Sequence, residues 1–404
     1  MLTREENELM CRVENDAPMG RFLRQNYWFP ATLSVKVEAG GAPLRVRLIG
    51  EDFVIFRGHD GRLGMFDELC PHRAASLTLA RNEDNALRCI FHGWKFGVDG
   101  KVLEVPTEPH NATEFCKKVP LRHYPVREGA GFIWAWIGEG TPAPFPAFEF
   151  FGLPENQTYA IGQHLDYNWV QDVEGGTDSA HVSILHKSFL GQVSLVDLAE
   201  HDSAPILEFE SSPAGYAYVA KRNLKDGNQY CRVNQFVMPW FCFICPEELK
   251  HGDRLVIITT PHDDTHCTHW MLRYNMWKPL SPSWMNPAPG DPNDYPPAPP
   301  GGPENGWGQD RFLMKTHFSG FRHLNTEDFA VALSQRPIAS RTREFLNQND
   351  LAVVKMRRLL IGAVKEFMEG KQPEIAKHEK IPYSKIRASA GVLPKGGDWL
   401  ALND

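Results

Sequence analysis

Two short segments, each with one cysteine and one histidine, constrain this chain more than any other feature of its sequence. Cys70 and His72 flank a proline, and sixteen residues later Cys89 and His92 follow, three apart and ahead of a glycine. Two such loops that face each other can hold a two-iron cluster, with thiolates on one iron and imidazoles on the other. A structural zinc ion uses the same residue types, although zinc sites usually pair Cys with Cys and His with His. Zinc therefore remains the alternative.

The residues around these loops have the pattern of a small antiparallel β domain. Short strand-like runs such as Leu44–Ile49 and Phe132–Trp136 are separated by glycine-containing turns, which is typical of hairpins. Several prolines between positions 142 and 154 then indicate a domain boundary.

The second half of the chain mixes strands and helices. Tyr216–Arg222 and Tyr230–Cys245 are predicted to be adjacent strands, and apolar residues at helical spacing predict helices near 325–336 and 342–369. The Pro- and Gly-rich residues 279–308 predict an irregular loop. No glycine-rich phosphate loop is present, so we expect an α+β domain with an antiparallel sheet flanked by helices.

Together these patterns predict an α+β protein with three segments. Residues 1–25 form an N-terminal extension that packs on the last domain, residues 26–145 form an all-β domain with the cluster loops, and residues 146–404 form a catalytic domain.

Composition excludes several classes of protein. The chain has 404 residues, a formal charge of −7 and 42% apolar residues, which is typical of globular domains and gives no basic surface for nucleic acid. The charged N-terminus predicts no signal peptide, and the longest apolar run, Phe236–Cys245, is too short to cross a membrane. Eight cysteines are too sparse for a disulfide scaffold. We expect a cytoplasmic protein without a membrane or nucleic-acid partner.

A second group of metal-binding residue types lies between positions 168 and 186. If this segment is a helix, Glu174, Asp178 and His181 share one face, and His186 joins them only if the helix ends between the two histidines. Two imidazoles and one carboxylate with open positions form the facial triad of non-haem Fe(II) oxygenases. A polar surface helix is the alternative for this stretch alone.

Both groups of residues resemble the motifs of one enzyme family. Cys70, His72, Cys89 and His92 match the Rieske motif, and the resemblance to Rieske proteins covers roughly residues 25–140. The pattern Glu-x-x-x-Asp-x-x-His-x-x-x-x-His that follows is similar to the iron motif of Rieske non-haem iron aromatic ring-hydroxylating oxygenases. The two motifs in this order are highly specific for that family.

The resemblance also implies the third iron ligand. Residues 325–330, Asn-Thr-Glu-Asp-Phe-Ala, resemble the Gln-Asp-x-Ala pattern of the phthalate dioxygenase branch, which places the ligand at Asp328 and leaves its neighbour Glu327 as the alternative. Softer matches at 41–52 and 356–360 favour the same branch.

The resemblance implies an oxygenase subunit with a [2Fe–2S] cluster and a mononuclear Fe(II). A separate reductase of the flavin and iron–sulfur type would pass electrons from NAD(P)H to the cluster, and O₂ would react with a small aromatic substrate. The reaction would be ring dihydroxylation, or alternatively a monooxygenation such as O-demethylation. A Rieske electron carrier without oxygenase activity is the less favoured alternative.

The family also implies an oligomer, a homotrimer or stacked trimers, in which the cluster of one subunit serves the iron of the next. Asp178 matches the carboxylate that bridges a cluster histidine and an iron histidine. We therefore expect Asp178, together with Glu174, to be a catalytic residue.

Two arginines are candidates for the substrate site. Arg222 and Arg232 lie in predicted strands, and a fixed guanidinium binds a carboxylate through two hydrogen bonds. An ordinary strand arginine is the alternative for each.

Two further groups of cysteine and histidine have a simpler interpretation. Cys242 and Cys245 form a Cys-x-x-Cys in an apolar run, so we expect buried structural cysteines and not a redox pair. A polar turn is predicted to place the following residues on the surface: His262, His266, Cys267 and His269.

Overall fold

The structure is a computed structural model, and the residues that it describes are 1–190, 196–245, 251–280 and 301–403. The chain forms two compact units, one of Arg24–Ala143 and one of Met1–Leu23 with Pro144–Asp404. Most of the predicted 279–308 loop lies outside the described residues.

The unit Arg24–Ala143 is built from short antiparallel strands, as predicted. Its strands are β1 (Phe29–Leu33), β2 (Leu44–Leu48), β3 (Glu51–Arg57), β4 (Leu63–Asp67), β5 (Arg81–Glu83), β6 (Ala86–Arg88), β7 (Lys95–Gly97), β8 (Val102–Glu104), β9 (Val126–Gly129) and β10 (Phe132–Ala135). They form three sheets with the strand orders β1-β10-β9, β2-β3-β4 and β5-β6-β7-β8. One cysteine–histidine loop follows β4 and the other connects β6 to β7, so both start from strands that pack in one apolar core.

The second unit contains one large antiparallel sheet. Its strands are β11 (Thr158–Leu165), β12 (Ile206–Ser212), β13 (Gly215–Asn223), β14 (Asn228–Val237), β15 (Phe241–Ile244), β16 (Arg254–Pro261), β17 (Cys267–Tyr274) and β18 (Ser389–Pro394). The order is β11-β17-β16-β15-β14-β13-β12, and β18 pairs with β14. The predicted strand 230–245 is divided in two, because the chain turns at Met238–Trp240 and pairs back on itself with Gln235 opposite Phe243.

Helices complete the fold. They are α1 (Arg4–Cys11), α2 (Pro18–Asn26), α3 (Ala112–Cys116), α4 (Trp169–Thr177), α5 (Leu324–Ser334) and α6 (Leu351–Met368). The helix expected over 342–369 begins only at Leu351, because the Asn347 side chain caps a short 3₁₀ turn ahead of it in a capping box with Asp350. The α+β class and the antiparallel sheet flanked by helices are confirmed.

The N-terminal helix α1 is held by a capping box at its start and by side-chain hydrogen bonds to residues 339–341. Thr3 and Glu6 form a capping box at its start. The Asn7 side chain donates to the Ala339 carbonyl at 3.2 Å and accepts from Arg341 at 3.1 Å. In the described part of the chain, none of the helices combines the length and the apolar character needed to cross a membrane.

Candidate metal centres and active site

The two cysteine–histidine loops have the same backbone conformation. In each loop the cysteine N–H donates to the carbonyl five residues later, at 2.8 Å for Cys70 and 2.9 Å for Cys89. The residue four positions after the cysteine donates back to it, and its φ is positive in both loops, 54° at Ala74 and 76° at Gly93. Glycine adopts this left-handed conformation easily, whereas alanine does so at a cost. Two matching loops of this kind present their cysteines and histidines in equivalent ways.

The four side chains lie together and fit an iron–sulfur cluster. Both cysteines are 3% exposed, and the rings of His72 and His92 lie 4.4 Å apart at 74°. Burial above all, with some contribution from the neighbouring Cys89, raises the pKa of the Cys70 thiol to about 11. The His92 Nδ1 atom is buried and has no hydrogen-bond partner in the described residues. Two adjacent buried thiols and two adjacent imidazoles, one with an unpartnered nitrogen, are the four donors that a Rieske [2Fe–2S] cluster requires.

The second group of ligands gathers because helix α4 ends early. Its last helical residue is Thr177, and His181 begins a 3₁₀ turn after it. The sequence pattern predicts Glu174, Asp178 and His181 on one helical face and the helix end between His181 and His186. The helix instead ends before Asp178, so this shared face does not form. Gly175 and Gly176 weaken the last helical turn, and a side chain at Gly176 would lie 3.0 Å from the Cys242 sulfur, so the helix packs closely on the sheet.

Two histidines and one carboxylate converge after this helix end. The Nε2 atoms of His181 and His186 lie 3.7 and 3.3 Å from Asp328 Oδ1, and potential ligand atoms of all three lie within 4.8 Å of one another. Asp328 comes from helix α5, more than 140 residues away in the chain. Two imidazoles and one carboxylate with open positions suit Fe(II).

Each histidine of this triad is held by a second carboxylate. His181 Nδ1 lies 3.1 Å from Asp178 Oδ2, and His186 Nδ1 lies 2.6 Å from Glu327 Oε2. An Nδ1–H that donates to a carboxylate leaves the Nε2 lone pair for a metal and fixes the ring orientation. Burial lowers the pKa of His186, but Asp328 and Glu327 outweigh it and raise that pKa to about 9. The sequence left Glu327 as the alternative ligand to Asp328. In the structure, Glu327 contacts Nδ1 of His186, the ring nitrogen that faces away from Asp328.

Asp178 is held as a carboxylate directly at the helix end. Its Oδ1 accepts from the Ala180 N–H at 2.8 Å, and its Oδ2 accepts from the His181 N–H at 3.4 Å. Burial acts to raise the pKa of Asp178, yet the hydrogen bonds from His181 and these amides hold it below its usual value. The carboxylate therefore stays charged beside the triad.

Glu174 has a different position from the one predicted for a catalytic residue. Arg341 donates to both of its oxygens, at 2.6 and 2.8 Å, and Arg357 donates to Oε1 at 2.6 Å. Burial acts to raise the pKa of Glu174, but the two guanidiniums lower it. Because both oxygens are occupied by cations, Glu174 connects helix α4 to the C-terminal part of the fold and is not a free acid or base.

A cavity of about 200 Å³ opens on the triad. Asp178, His181, His186 and Asp328 lie in its wall, and much of the remaining wall is apolar: Val182, Leu190, Ile257, Met271 and Phe329. An apolar cavity of about 150 Å³ binds benzene, so this cavity accommodates one substituted aromatic ring next to the metal ligands.

The two predicted arginines differ in their surroundings. Arg232 lines the cavity, whereas Arg222 is 0% exposed and donates to the Ser179 and Asp202 carbonyls at 2.7 and 3.1 Å. Neither makes an ion pair with a described residue, and Arg232 Nε and Nη1 have no hydrogen-bond partner there. Burial and then repulsion from Arg232 lower the pKa of Arg222 to about 10. Arg232 thus places a buried positive charge in the cavity wall, and the described residues supply no carboxylate that pairs with it.

One group of buried cavity residues was missed by the sequence interpretation. Asp172 accepts hydrogen bonds from Tyr167 at 2.9 Å and Thr259 at 2.5 Å, and its Oδ1 lies 3.0 Å from His269 Nδ1. The surface location predicted for His269 is wrong, since it is 7% exposed, and Cys267 is fully buried. Both lie on β17, an interior strand of the sheet. The sequence did contain one signal for this buried group, because Asp172 lies among apolar residues at the start of α4.

The other expectations for cysteine and histidine agree with the structure. Cys242 and Cys245 are buried free thiols, while His262 and His266 are partly exposed at the β16–β17 turn. Trp94 stacks on His72 at 4.5 Å, and Trp169 is fully buried in packing.

Comparison with known proteins agrees with this arrangement. Residues 27–125 match the Rieske [2Fe-2S] domain, and residues 135–404 match the family described as LigXa C-terminal domain like. The phthalate 4,5-dioxygenase oxygenase subunit of Pseudomonas putida is 36% identical, over 99% of this chain and 94% of its own length. The 3-chlorobenzoate-3,4-dioxygenase oxygenase subunit of Comamonas testosteroni is 32% identical, over 86% of this chain and 85% of its own.

A solved structure of dicamba monooxygenase bound to dicamba superposes with a TM-score of 0.62 at 20% identity, over 86% of this chain and 99% of that one, which supports the fold alone. The chain belongs to the Rieske non-haem iron oxygenases. Within them it is an oxygenase subunit of the phthalate dioxygenase type, an aromatic ring-hydroxylating enzyme with a [2Fe–2S] cluster and mononuclear iron as cofactors. O₂ as co-substrate and NAD(P)H as electron source through a separate reductase fit this family.

Proposed function

We propose that this oxygenase dihydroxylates the ring of an aromatic carboxylate. The observation that carries the proposal is the buried guanidinium of Arg232 in the wall of the cavity, with no anionic partner among the described residues. A buried charge is costly unless it is paired, and a substrate carboxylate would supply the missing charge. The two relatives whose names include phthalate and chlorobenzoate act on compounds of that class, as dioxygenases.

The residues of the chain divide the work. Cys70, His72, Cys89 and His92 would hold the cluster, which supplies single electrons when bound. His181, His186 and Asp328 would hold the iron, which supplies O₂ activation. The apolar wall would exclude water and hold the aromatic ring, and Arg232 would orient that ring through its carboxylate. Arg222, on the same face of the neighbouring strand β13, would add positive charge.

Electron transfer would involve a neighbouring subunit. We assign the cluster domain to residues 26–145 and the catalytic domain to residues 146–404, with residues 1–25 packed on the latter. Asp178 would bridge His181 and a cluster histidine of the next subunit in a homotrimer or stacked trimers. The reductase would be of the flavin and iron–sulfur type, and the enzyme would work in the cytoplasm. The charged carboxylate of Asp178, already hydrogen-bonded to His181, supports this role.

Arg232→Met tests the proposed substrate class. The substitution removes the guanidinium but keeps an apolar stem, so affinity for an aromatic acid should fall by about 2–5 kcal/mol, roughly 30-fold or more. Affinity for the methyl ester of the same acid should change little. Dissociation constants for both compounds, measured by calorimetry on the iron-loaded enzyme, give the comparison.

Lys221→Ala is the matched control for Arg232→Met. Lys221 is a cation on β13 that faces the other side of the sheet and pairs with Glu208, so its loss should leave both affinities unchanged. If Arg232→Met weakened acid and ester equally, Arg232 would be a packing residue and the carboxylate would bind elsewhere.

Product analysis on the wild type separates a ring diol from the product of O-demethylation, which is the alternative reaction.

His92→Cys tests the cluster ligands. The variant should keep a two-iron cluster, but the added thiolate charge should lower its reduction potential by roughly 100 mV or more. A redox titration followed by visible absorbance measures this change. The exposed His110 gives the control variant His110→Cys, and a His92→Cys potential equal to that of the control would exclude His92 as a ligand.

A further inference from the structure

A group of imidazoles lies on the surface of the second unit, where β11 ends beside the β16–β17 turn. His164 is the second-last residue of the edge strand β11. Its ring centroid lies 4.8 Å from that of His262 and 5.8 Å from that of His266, and the His164 and His266 rings are nearly parallel. None of the three lines the cavity at the iron triad.

Two of these rings point the same nitrogen at one carboxylate oxygen. Asp166 Oδ1 lies 3.6 Å from His164 Nε2 and 3.9 Å from His266 Nε2. Zinc bonds of about 2.0–2.2 Å in a tetrahedral arrangement place neighbouring ligand atoms about 3.3–3.5 Å apart. The side chains of His164, Asp166 and His266 are 53%, 73% and 40% exposed, so they can rotate toward a shared ion. Metal binding requires such a rotation, because their ligand atoms are not already grouped as those of the iron triad are.

The supporting contacts also suit a metal. His266 Nδ1 lies 2.8 Å from Asp263 Oδ1 and 3.1 Å from Thr265 Oγ1. A carboxylate on Nδ1 keeps the proton there and leaves the Nε2 lone pair for a cation, as in other metal sites with carboxylate–histidine pairs.

We propose that His164, Asp166 and His266 form a second metal site, which binds a zinc-like divalent ion through Nε2, Oδ1 and Nε2. Two imidazoles and one carboxylate favour Zn²⁺, Ni²⁺ or Cu²⁺ over Mg²⁺ and Ca²⁺. The ion would fasten the end of the edge strand β11 to the neighbouring turn, and it would take no part in oxygenation.

The test uses the holoenzyme with both of its iron sites loaded. Zn²⁺ is titrated against a chromophoric chelator, and zinc and iron per chain are then counted by atomic emission. The wild type should bind one zinc per chain with no loss of iron. His164→Ala and His266→Ala should each weaken zinc binding by more than about 100-fold, and Asp263→Asn, which removes only the supporting carboxylate, by about 10-fold.

His110→Ala, at an exposed histidine in the other unit, is the control and should bind zinc like the wild type. The proposal is overturned if the wild type binds no zinc, if zinc enters only as iron leaves, or if His110→Ala weakens binding as much as His164→Ala. Because the side chains of His164 and His266 are 53% and 40% exposed, thermal unfolding of these two histidine variants should match that of the wild type without zinc, and this is measured alongside.

Discussion

Asp178→Asn is expected to leave both metal sites loaded and to slow the oxidation of the reduced cluster by substrate and O₂ by about 100-fold or more. No ligand is removed, and the amide oxygen can still accept from the Ala180 N–H. The amide nitrogen, however, is a donor, and it would face the Nδ1–H of His181, where the carboxylate now accepts. The proton and charge that hold His181 in its present orientation would both be disturbed.

A single-turnover experiment measures this effect. The enzyme is reduced, mixed with oxygenated substrate and followed by the visible absorbance of the cluster, while its reduction by the reductase should keep its normal rate. Glu174→Gln is the matched control, one helical turn earlier. Since Arg341 and Arg357 occupy Glu174, that variant should lose thermal stability but not transfer rate. Loss of iron from Asp178→Asn would show that Asp178 is an iron ligand. Normal turnover would show that Asp178 does not bridge the cluster and the iron.

Asp328→Ala should lose the mononuclear iron and all product formation, with the spectrum of the [2Fe–2S] cluster unchanged. Asp328 Oδ1 lies within 3.7 Å of the Nε2 atoms of both His181 and His186, so its removal leaves two ligands and should weaken iron binding by more than about 100-fold. Iron per chain should fall from three to two, and metal analysis of the purified variant measures it.

A substitution of the adjacent Glu327 distinguishes an iron ligand from a residue that only supports a ligand. Glu327 contacts His186 on Nδ1, away from Asp328, so Glu327→Gln should weaken iron binding by only about 10–100-fold and should regain activity with excess Fe(II). If Glu327→Gln abolished the iron and Asp328→Ala kept it, the assignment of these two neighbours would be reversed. A wild type with only two irons per chain would instead indicate an electron carrier.

Features set by short-range spacing were predictable from the sequence. The cluster loops could be recognised from the spacing of their cysteines and histidines. The adjacent strands β13 and β14 could be recognised from their strand-like runs of residues. The resemblance favoured Asp328 over its neighbour Glu327 as the third iron ligand. The fold adds the positions of the two carboxylates, with Asp328 near Nε2 of His186 and Glu327 at its Nδ1.

The rest depended on contacts between distant parts of the chain. Helix α4 ends at Thr177, ahead of Asp178 and His181, which the sequence pattern places on its face. Gly175 and Gly176 weaken its last turn, and Gly176 packs against Cys242 of a distant strand. Glu174 looked catalytic from its position in the motif, but its partners Arg341 and Arg357 follow 167 and 183 residues later. His269 lay in a polar-looking stretch, and its burial follows from the position of β17 between β11 and β16.

The most direct test of the account is a turnover with ¹⁸O₂ on a panel of benzoates and phthalates, each compared with its methyl ester, with products identified by mass spectrometry. We expect a ring diol that carries two ¹⁸O atoms, formed from at least one free acid and far less from its ester. A product with a single ¹⁸O atom, or oxidation of the esters but of none of the acids, would contradict it.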